Sequence, residues 1–439
     1  MDVDDPVADL RRLFKIPIGY GLRIMKCIYG LKQGSREWQL LLDSFLVSYA
    51  FTMYQAKDGI GIYVSFADPR GPIIILVYVY DLLIATSTVP QKDDIISYLK
   101  SKANCTDMGP VTTFIGLQID YDRDAGVVKL CMTNLIALML QKLKLTDIRP
   151  RVRPGDQLAI QPDSSDFDNE YGPSLVDMTT SPREILSATE ITKYQSMVGA
   201  LIYIMICLRA DIAYCVLILT TYMTRPCKAC WQKALHVVAY LEHTADLYLE
   251  YKPTNLLISF YTDSNFGIDD LISSRATIGH NGYLGGCLVC WKSVKHKMDF
   301  STCVTEYMGF VIAGKRILFI RALLRALSIE IYQTTDSLLI DEIEQEDISP
   351  CSVGPSVLFS DNEAAINLSY NPVLHQRTSH INRLYHGIHT WIKHRAITVQ
   401  KVPTGLNDAD IHTKCTPSAA FLNNRKQMGF HCSTDTTDD

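Results

Sequence analysis

Alternation and helical spacing lay out most of the chain before any single residue is considered. "GPIIILVYVYDLLIATST" (71–88) is two apolar runs pinched around one carboxylate, Asp81, and the pattern predicts a buried hairpin. Upstream, "CIYGLKQGSREWQLLLDSFLVSYAF" predicts a turn and then an amphipathic helix with Leu40, Leu41, Phe45 and Leu46 on its inner face. "PQKDDIISYLKSKA" has helical spacing with a proline near its start. "TFIGLQIDYDRDAGVVKLCMT" predicts two strands joined by the turn "DRDAG", and "NLIALMLQKLKL" a further helix.

Residues 148–190 are rich in Pro, Ser, Asp and Thr and predict a linker. From about 192 to 250 the pattern is helical. It turns to strands at "LLISFYTDSNFG" and "NGYLGGCLVCW", then to a helix from about 306 to 328. An acidic insert near 341–347 precedes the strand "SVLF". There is no internal repeat.

Composition changes this picture only modestly. At 47% hydrophobic and 20% charged, the 439 residues support packed cores in an α/β (α+β) chain of several domains and exclude wholesale disorder. The net charge of −5 argues against a uniformly basic coat, yet charge is uneven. Residues 11–36 hold seven Lys or Arg and no acid, and residues 364–407 hold basic residues and no acid. Thirteen cysteines, an odd number, and an acidic N-terminus without an apolar core predict an intracellular protein, cytoplasmic or nuclear, with thiols rather than disulfides. The apolar stretch around 198–223 is broken by Arg209 and Asp211, so buried helices are expected and no membrane association.

Four acids stand where strands end or helices begin: Asp263, Glu306, Asp361 and Asp410. Such places carry the sites of α/β folds. Clustered carboxylates repel unless cations neutralise them, and Mg²⁺ is the usual oxygen-liganded partner. Two ions about 3.5–4 Å apart support in-line phosphodiester hydrolysis. Position alone equally allows four unrelated surface acids. The histidines between 375 and 394, interleaved with Arg and Lys, suit either a phosphate-backbone contact or a solvated helix face. Two Cys-x-x-Cys pairs, Cys227/Cys230 and Cys287/Cys290, invite a zinc reading. The second lies in an apparent strand, where side chains three apart face opposite ways.

The ordered set "YTDSNFG", "SSRATIGHNGYLGG", "CWKSVKHK", "TEYMGF", "SDNEAAINLSYNPVLHQRTSHI", "YHGIHTWI" and "VPTGLNDADIHTK" resembles the ribonuclease H domain of copia-type retrotransposon Pol polyproteins. The resemblance implies a two-Mg²⁺ tetrad on Asp263, Glu306, Asp361 and Asp410 and cleavage of the RNA strand in RNA–DNA hybrids. Three positions depart from that pattern: Asn265 and Val304 replace acids, and Asn382 turns "HID" into "HIN". "IMKCIYGLKQGSREW", "YVYDLLIA", "TDMGPVTTFIGLQI" and "YQSMVGALIYIMICLRADIAYCV" resemble the copia-type reverse transcriptase, an RNA-directed DNA polymerase.

In that family the hairpin tip reads Tyr-Val-Asp-Asp; here Tyr80 replaces the first aspartate and Asp81 is the remaining metal ligand. A phenol is neutral at pH 7 and a poor Mg²⁺ ligand, so the polymerase site is expected to be inactive. The resemblance implies that Gln33 lies at the nucleotide pocket, with Lys32 and Arg36 placed to meet phosphates, and Arg377, His380 and Arg383 belong to the basic stretch that suits either a nucleic-acid backbone or a solvated helix face. The expected organisation is a reverse transcriptase-like part at 1–147 (fingers truncated, palm and thumb) and a linker at 148–190. A helical connection at 191–256, a ribonuclease H-like mixed sheet with flanking helices at 257–418 and a tail at 419–439 follow. Upstream protease and integrase are expected to be missing, and association with other retrotransposon proteins is implied. The reading from another class is a catalytically dead relic or a non-enzymatic nucleic-acid-binding module.

Overall fold

Apolar residues four apart turn the first described segment into helix α1 (Gly34–Ser48), which lays Leu42 and Leu46 against a sheet. Leu40 and Leu41, expected on that inner face, are exposed. The buried stripe is carried instead by the 42/46 pair, with Trp38 packed beside it, because one residue of phase rotates a helix by about 100°. The sheet is an antiparallel meander of β1 (Thr52–Lys57), β2 (Ile60–Ser65), β3 (Ile73–Tyr78) and β4 (Asp81–Thr86). On β3, Ile73, Ile75 and Val77 alternate inward, each burying a side chain worth about 1.5–3 kcal/mol. Helix α2 (Val89–Lys102), capped by Thr88, closes the core with Ile95 and Leu99.

In this computed structural model the described residues are 34–57, 60–143, 151–155, 185–265, 276–296, 302–327, 355–371 and 382–432. The chain divides into two units, residues 1–109 and 110–439.

The division falls at Gly109, not at 147, because the strands after it pair onward. β5 (Thr113–Phe114), β6 (Leu117–Asp122) and β7 (Val127–Cys131) form a sheet with β8 (Tyr248–Tyr251) and β14 (Phe430–His431), in the order β14-β8-β7-β6-β5. Leu130 faces Leu249 across that ladder. Helices α3 (Thr133–Leu143), α4 (Ala188–Cys207), α5 (Ala213–Thr221) and α6 (Lys228–His243) bury one core with it. So the span expected to be a helical connection also holds a strand. The span expected to be a tail contributes α10 (Ser418–Gln427) and β14. Of the expected linker, 148–150 and 156–184 lie outside the described residues, while Arg153 reaches the carbonyl of Thr416 at 3.0 Å.

Arg209 and Asp211 are buried as a bidentate pair with N–O distances of 2.9 and 2.8 Å, and Tyr240 donates to Asp211 at 2.5 Å. Among the described residues, no helix is long and apolar enough to cross a membrane.

The third sheet is mixed. β10 (Ala276–Leu284) runs antiparallel to both β9 (Ile258–Asn265) and β11 (Cys287–His296), and β12 (Ser356–Ser360) and β13 (Ile397–Lys401) run parallel to β9. The order is β11-β10-β9-β12-β13. "NGYLGGCLVCW", expected as one strand, is a hairpin that turns at Gly285 and Gly286, both at positive φ. Helices α7 (Thr302–Ala326), α8 (Glu363–Tyr370) and α9 (Asn382–Lys393) cover the sheet, with Phe310, Ile317 and Trp391 in the core. The acidic insert at 341–347 lies outside the described residues.

Candidate functional site

The mixed sheet brings two acids together by register alone. β9 and β12 are parallel neighbours with Phe359 opposite Tyr261, so two residues further on Asp361 comes opposite Asp263. Parallel strands end on the same edge, which is where sheets of this kind gather ligands. Helix α7 adds the third acid. Glu306 sits in its second turn, and Gly309, one turn on, lets the helix lie close over β9. A 3₁₀ helix, Asp408–His412, adds the fourth, Asp410. It rests on β10 at Gly279, where a β-carbon would stand 2.6 Å from that of His412.

Carboxylate oxygens of Asp263, Glu306 and Asp361 lie within 4.8 Å of one another, the one such group of three or more His, Cys, Asp or Glu among the described residues. Asp263 and Glu306 are buried and Asp361 is half-buried. Oδ2 of Asp263 accepts a short hydrogen bond from Thr413, and the Ser264 amide donates to Oε1 of Glu306 at 3.2 Å. Asp410 joins through a cation: Nζ of Lys414 lies 3.0 Å from Oδ1 of Asp410 and 3.7 Å from Oδ2 of Asp263.

Electrostatics mark the group as strained. Burial, then the Asp263 charge, pushes the Glu306 carboxyl well above its ordinary range. Burial and Asp263 push Asp410 up to about 7, against the pull of Lys414. Oε2 of Glu306 is buried and accepts no hydrogen bond, and Oδ1 of Asp410 is buried with the Lys414 ammonium beside it at 3.0 Å. Buried carboxylate oxygens without partners are costly. A hard divalent cation among these oxygens would satisfy them, so the donor set fits one.

Residues that sequence reasoning overlooked hold this edge. Asn407 donates to the carbonyl of Thr262 at 3.0 Å and caps the 3₁₀ helix at Ala409. Tyr283 donates a short hydrogen bond to buried Asp408, which burial raises to about 6. His412 meets Oδ1 of Asn281 at 2.6 Å through Nε2, so that nitrogen carries the proton, and Nδ1 is left without a hydrogen bond. The available signal was "NDADIHTK" itself, with six polar side chains in eight residues.

Other expected site residues do not gather there. Asp81 is exposed at the first residue of β4, in the other unit, and belongs to no such group among the described residues. Tyr80 is 43% exposed, with its ring centroid 5.9 Å from that of Trp38. Trp38 Nε1 donates to the carbonyl of Val79 at 2.8 Å, bracing a turn in which Val79 adopts φ 54°. Arg36 is exposed in the first turn of α1, while Lys32, Gln33, Arg377 and His380 and the side chain of Arg383 lie outside the described residues. Cys227 and Cys230 bring their sulfurs to 3.4 Å, but Cys287 and Cys290 turn to different partners, Gly285 and His280.

An α/β chain with an antiparallel hairpin sheet, and a mixed sheet edged by clustered acids, is thus the class of protein in hand. Residues 19–156 match the family described as reverse transcriptase (RNA-dependent DNA polymerase). The chain is 26% identical over 416 residues to the retrovirus-related Pol polyprotein from transposon TNT 1-94 of Nicotiana tabacum, covering 93% of this chain and 28% of that one. It is 28% identical to the corresponding polyprotein from transposon RE2 of Arabidopsis thaliana and 27% identical to that from RE1. In both cases 93% of this chain and 25% of the relative are covered. Over 93% of its length the chain is thus similar to retrovirus-related Pol polyproteins, of which it spans about a quarter, and its residues 19–156 carry the reverse transcriptase match.

Proposed function

We propose that this chain is the reverse transcriptase–ribonuclease H region of such a polyprotein, with a divalent-metal nuclease site at Asp263, Glu306, Asp361 and Asp410 and an inactive polymerase site. The substrate of the nuclease is the RNA strand of an RNA–DNA hybrid. The observation that carries this reading is the convergence of Asp263, Glu306 and Asp361 within 4.8 Å at one sheet edge, with a buried oxygen of Glu306 left unpartnered.

Asp263 and Asp361 would anchor cations on the strand ends, where the parallel register holds them side by side. Glu306, presented from α7, closes the site on the helix side and is held by the Ser264 amide. Thr413 fixes the rotamer of Asp263, so that carboxylate meets its ligand without reorganising. Mg²⁺, when bound, supplies neutralisation of the phosphate and a water acidic enough to attack phosphorus. Asp263, Glu306 and Asp410 sit on a strand, a helix and a 3₁₀ helix, and Asp361 directly follows the last residue of β12, which suits precise positioning.

The inactive polymerase follows from the hairpin tip. Tyr80 offers a phenol where the Tyr-Val-Asp-Asp pattern of the resembled family has a carboxylate, and Asp81 stands exposed without two further acids around it among the described residues.

The test is Mg²⁺-dependent cleavage of a labelled RNA–DNA hybrid by the full chain. Cleavage is expected, with loss by about 10²-fold or more in Asp361→Asn while hybrid binding persists. Hybrid binding without cleavage in the wild type would instead mark a non-enzymatic nucleic-acid-binding module. Primer extension with deoxynucleotides is expected to be absent; incorporation abolished by Asp81→Asn would overturn the polymerase half of the proposal.

A further inference from the structure

The four acids are not equivalent. Three of them, Asp263, Glu306 and Asp361, form one tight group of oxygens. Asp410 stands outside that group, beside Asp263 and with a lysine against it. The Lys414 ammonium lies 3.0 Å from Asp410 and 3.7 Å from Asp263, between the two carboxylates that a second divalent ion would have to share. Two-ion nuclease sites keep their cations about 3.5–4 Å apart across a shared carboxylate. Asp263 is the acid common to both groupings here, so the ammonium takes the place of the second ion.

Three features make this more than a surface ion pair. Lys414 follows Asp410 by four residues, so the backbone of the 3₁₀ helix and its exit aims the side chain back along the acid. Thr413, between them, is fully buried and hydrogen-bonded to both Asp263 and the carbonyl of Asp410, which locks the start of the lysine stem. The Lys414 side chain is nevertheless 38% exposed, so the ammonium has a path to water when a divalent ion arrives.

We propose that Lys414 is a built-in cation for the Asp263–Asp410 pair, making the second divalent-ion position weak and leaving the Asp263–Glu306–Asp361 group as the tight one. This rests on reading the acid cluster as a metal-dependent nuclease site. Lys414 is a positioning residue: it stabilises the ion-poor site against carboxylate repulsion and sets the concentration at which the second ion enters. The physical origin is competition. A unit positive charge that must be expelled before a divalent ion can bind opposes that ion most, and opposes an ion at the Asp263–Glu306–Asp361 group less, through the shared Asp263 alone.

The experiment is a Mn²⁺ titration of the full chain, free of nucleic acid, read by the electron paramagnetic resonance of unbound ion. Wild type is expected to bind one ion tightly and a second about tenfold or more weaker. In Lys414→Met the second ion should tighten by about tenfold and by clearly more than the first, so that the gap between the two narrows. Lys414→Arg keeps the charge and should retain the wild-type split. An unchanged or weakened second ion in Lys414→Met would overturn the role of Lys414 alone, because the wild-type ions would still report the site. No bound Mn²⁺ in wild type would overturn the metal-site reading itself, and the inference with it.

Discussion

The position a β-carbon would take on Gly309 lies 2.7 Å from Oγ1 of Thr262, which in turn donates to the carbonyl of Gly279 at 3.1 Å. Helix α7 therefore touches β9 through the absence of a side chain. Gly309→Ala is expected to destabilise the second unit by about 1–3 kcal/mol and to lower hybrid cleavage by displacing Glu306. Urea unfolding and cleavage assays on the variant check this. A smaller loss for Gly309→Ala in a Thr262→Ala background would show that the clash is the cause.

Buried pairing between Arg209 and Asp211 leads to a second prediction. Burial alone would raise the Asp211 carboxyl, but the Arg209 charge and the hydrogen bonds from Arg209 and Tyr240 outweigh it and hold it below its usual range. Asp211→Asn leaves a buried guanidinium without its counter-charge, at a cost of about 3–5 kcal/mol. Arg209→Met/Asp211→Leu together should cost much less, because no charge is then stranded. Denaturant midpoints of the two variants decide between these outcomes.

Acid sensitivity follows from two buried imidazoles. Burial pushes both His280 and His412 down to about 3. A base whose folded value lies below its unfolded one, near 6.5, stabilises the fold fully above pH 6.5, and that contribution is lost as pH falls from there toward 3. At pH 5 each forfeits about 2 kcal/mol. Asp410 and Glu306, shifted upward, act with the opposite sign, so the comparison must be made against a variant. Between pH 7 and 5, His280→Phe should lose less stability than wild type by about that amount.

Metal should act on stability as well as on chemistry. Relief of the repulsion among Asp263, Glu306 and Asp361 makes the folded second unit the form that binds Mg²⁺. At 100 times its dissociation constant, Mg²⁺ would add about 2.7 kcal/mol. A rise in the melting temperature of that unit with Mg²⁺, absent in Asp361→Asn, is the expected result. Equal rises in both proteins would count against the site.

At the polymerase-like hairpin, Val79 holds φ 54°, a conformation that strains a β-branched residue by about 1–3 kcal/mol. Val79→Gly should therefore raise the stability of the first unit by about 0.5–1 kcal/mol despite the lost side chain. A drop in its melting temperature would show that Val79 packing outweighs the strain.

Local pattern alone determined the elements whose residues answer to their own neighbours. The hairpin around Asp81, the helix after Pro90 and the strands joined by "DRDAG" were legible, because alternation, a proline near a helix start and a glycine-bearing turn act over a few residues. So were Asp263 and Asp361 as strand-end residues, whereas Glu306 lies in the second turn of its helix and Asp410 within a 3₁₀ helix, not at the start of the final helix. The phase of α1, with Leu42 rather than Leu41 inside, was not legible, since a run of three leucines leaves the inward direction to whatever packs against it. Tertiary structure alone decided the rest. Pairing of β7 with β8 joins residues more than a hundred positions apart and so moves the unit boundary to Gly109. The parallel register of β9 with β12 sets Asp361 beside Asp263, and the approach allowed at Gly309 and Gly279 brings Glu306 and Asp410 to the same edge. Lys414 was invisible as a site residue for the same reason: a lysine's partner is a matter of distance in space, and only the packed sheet edge supplies it.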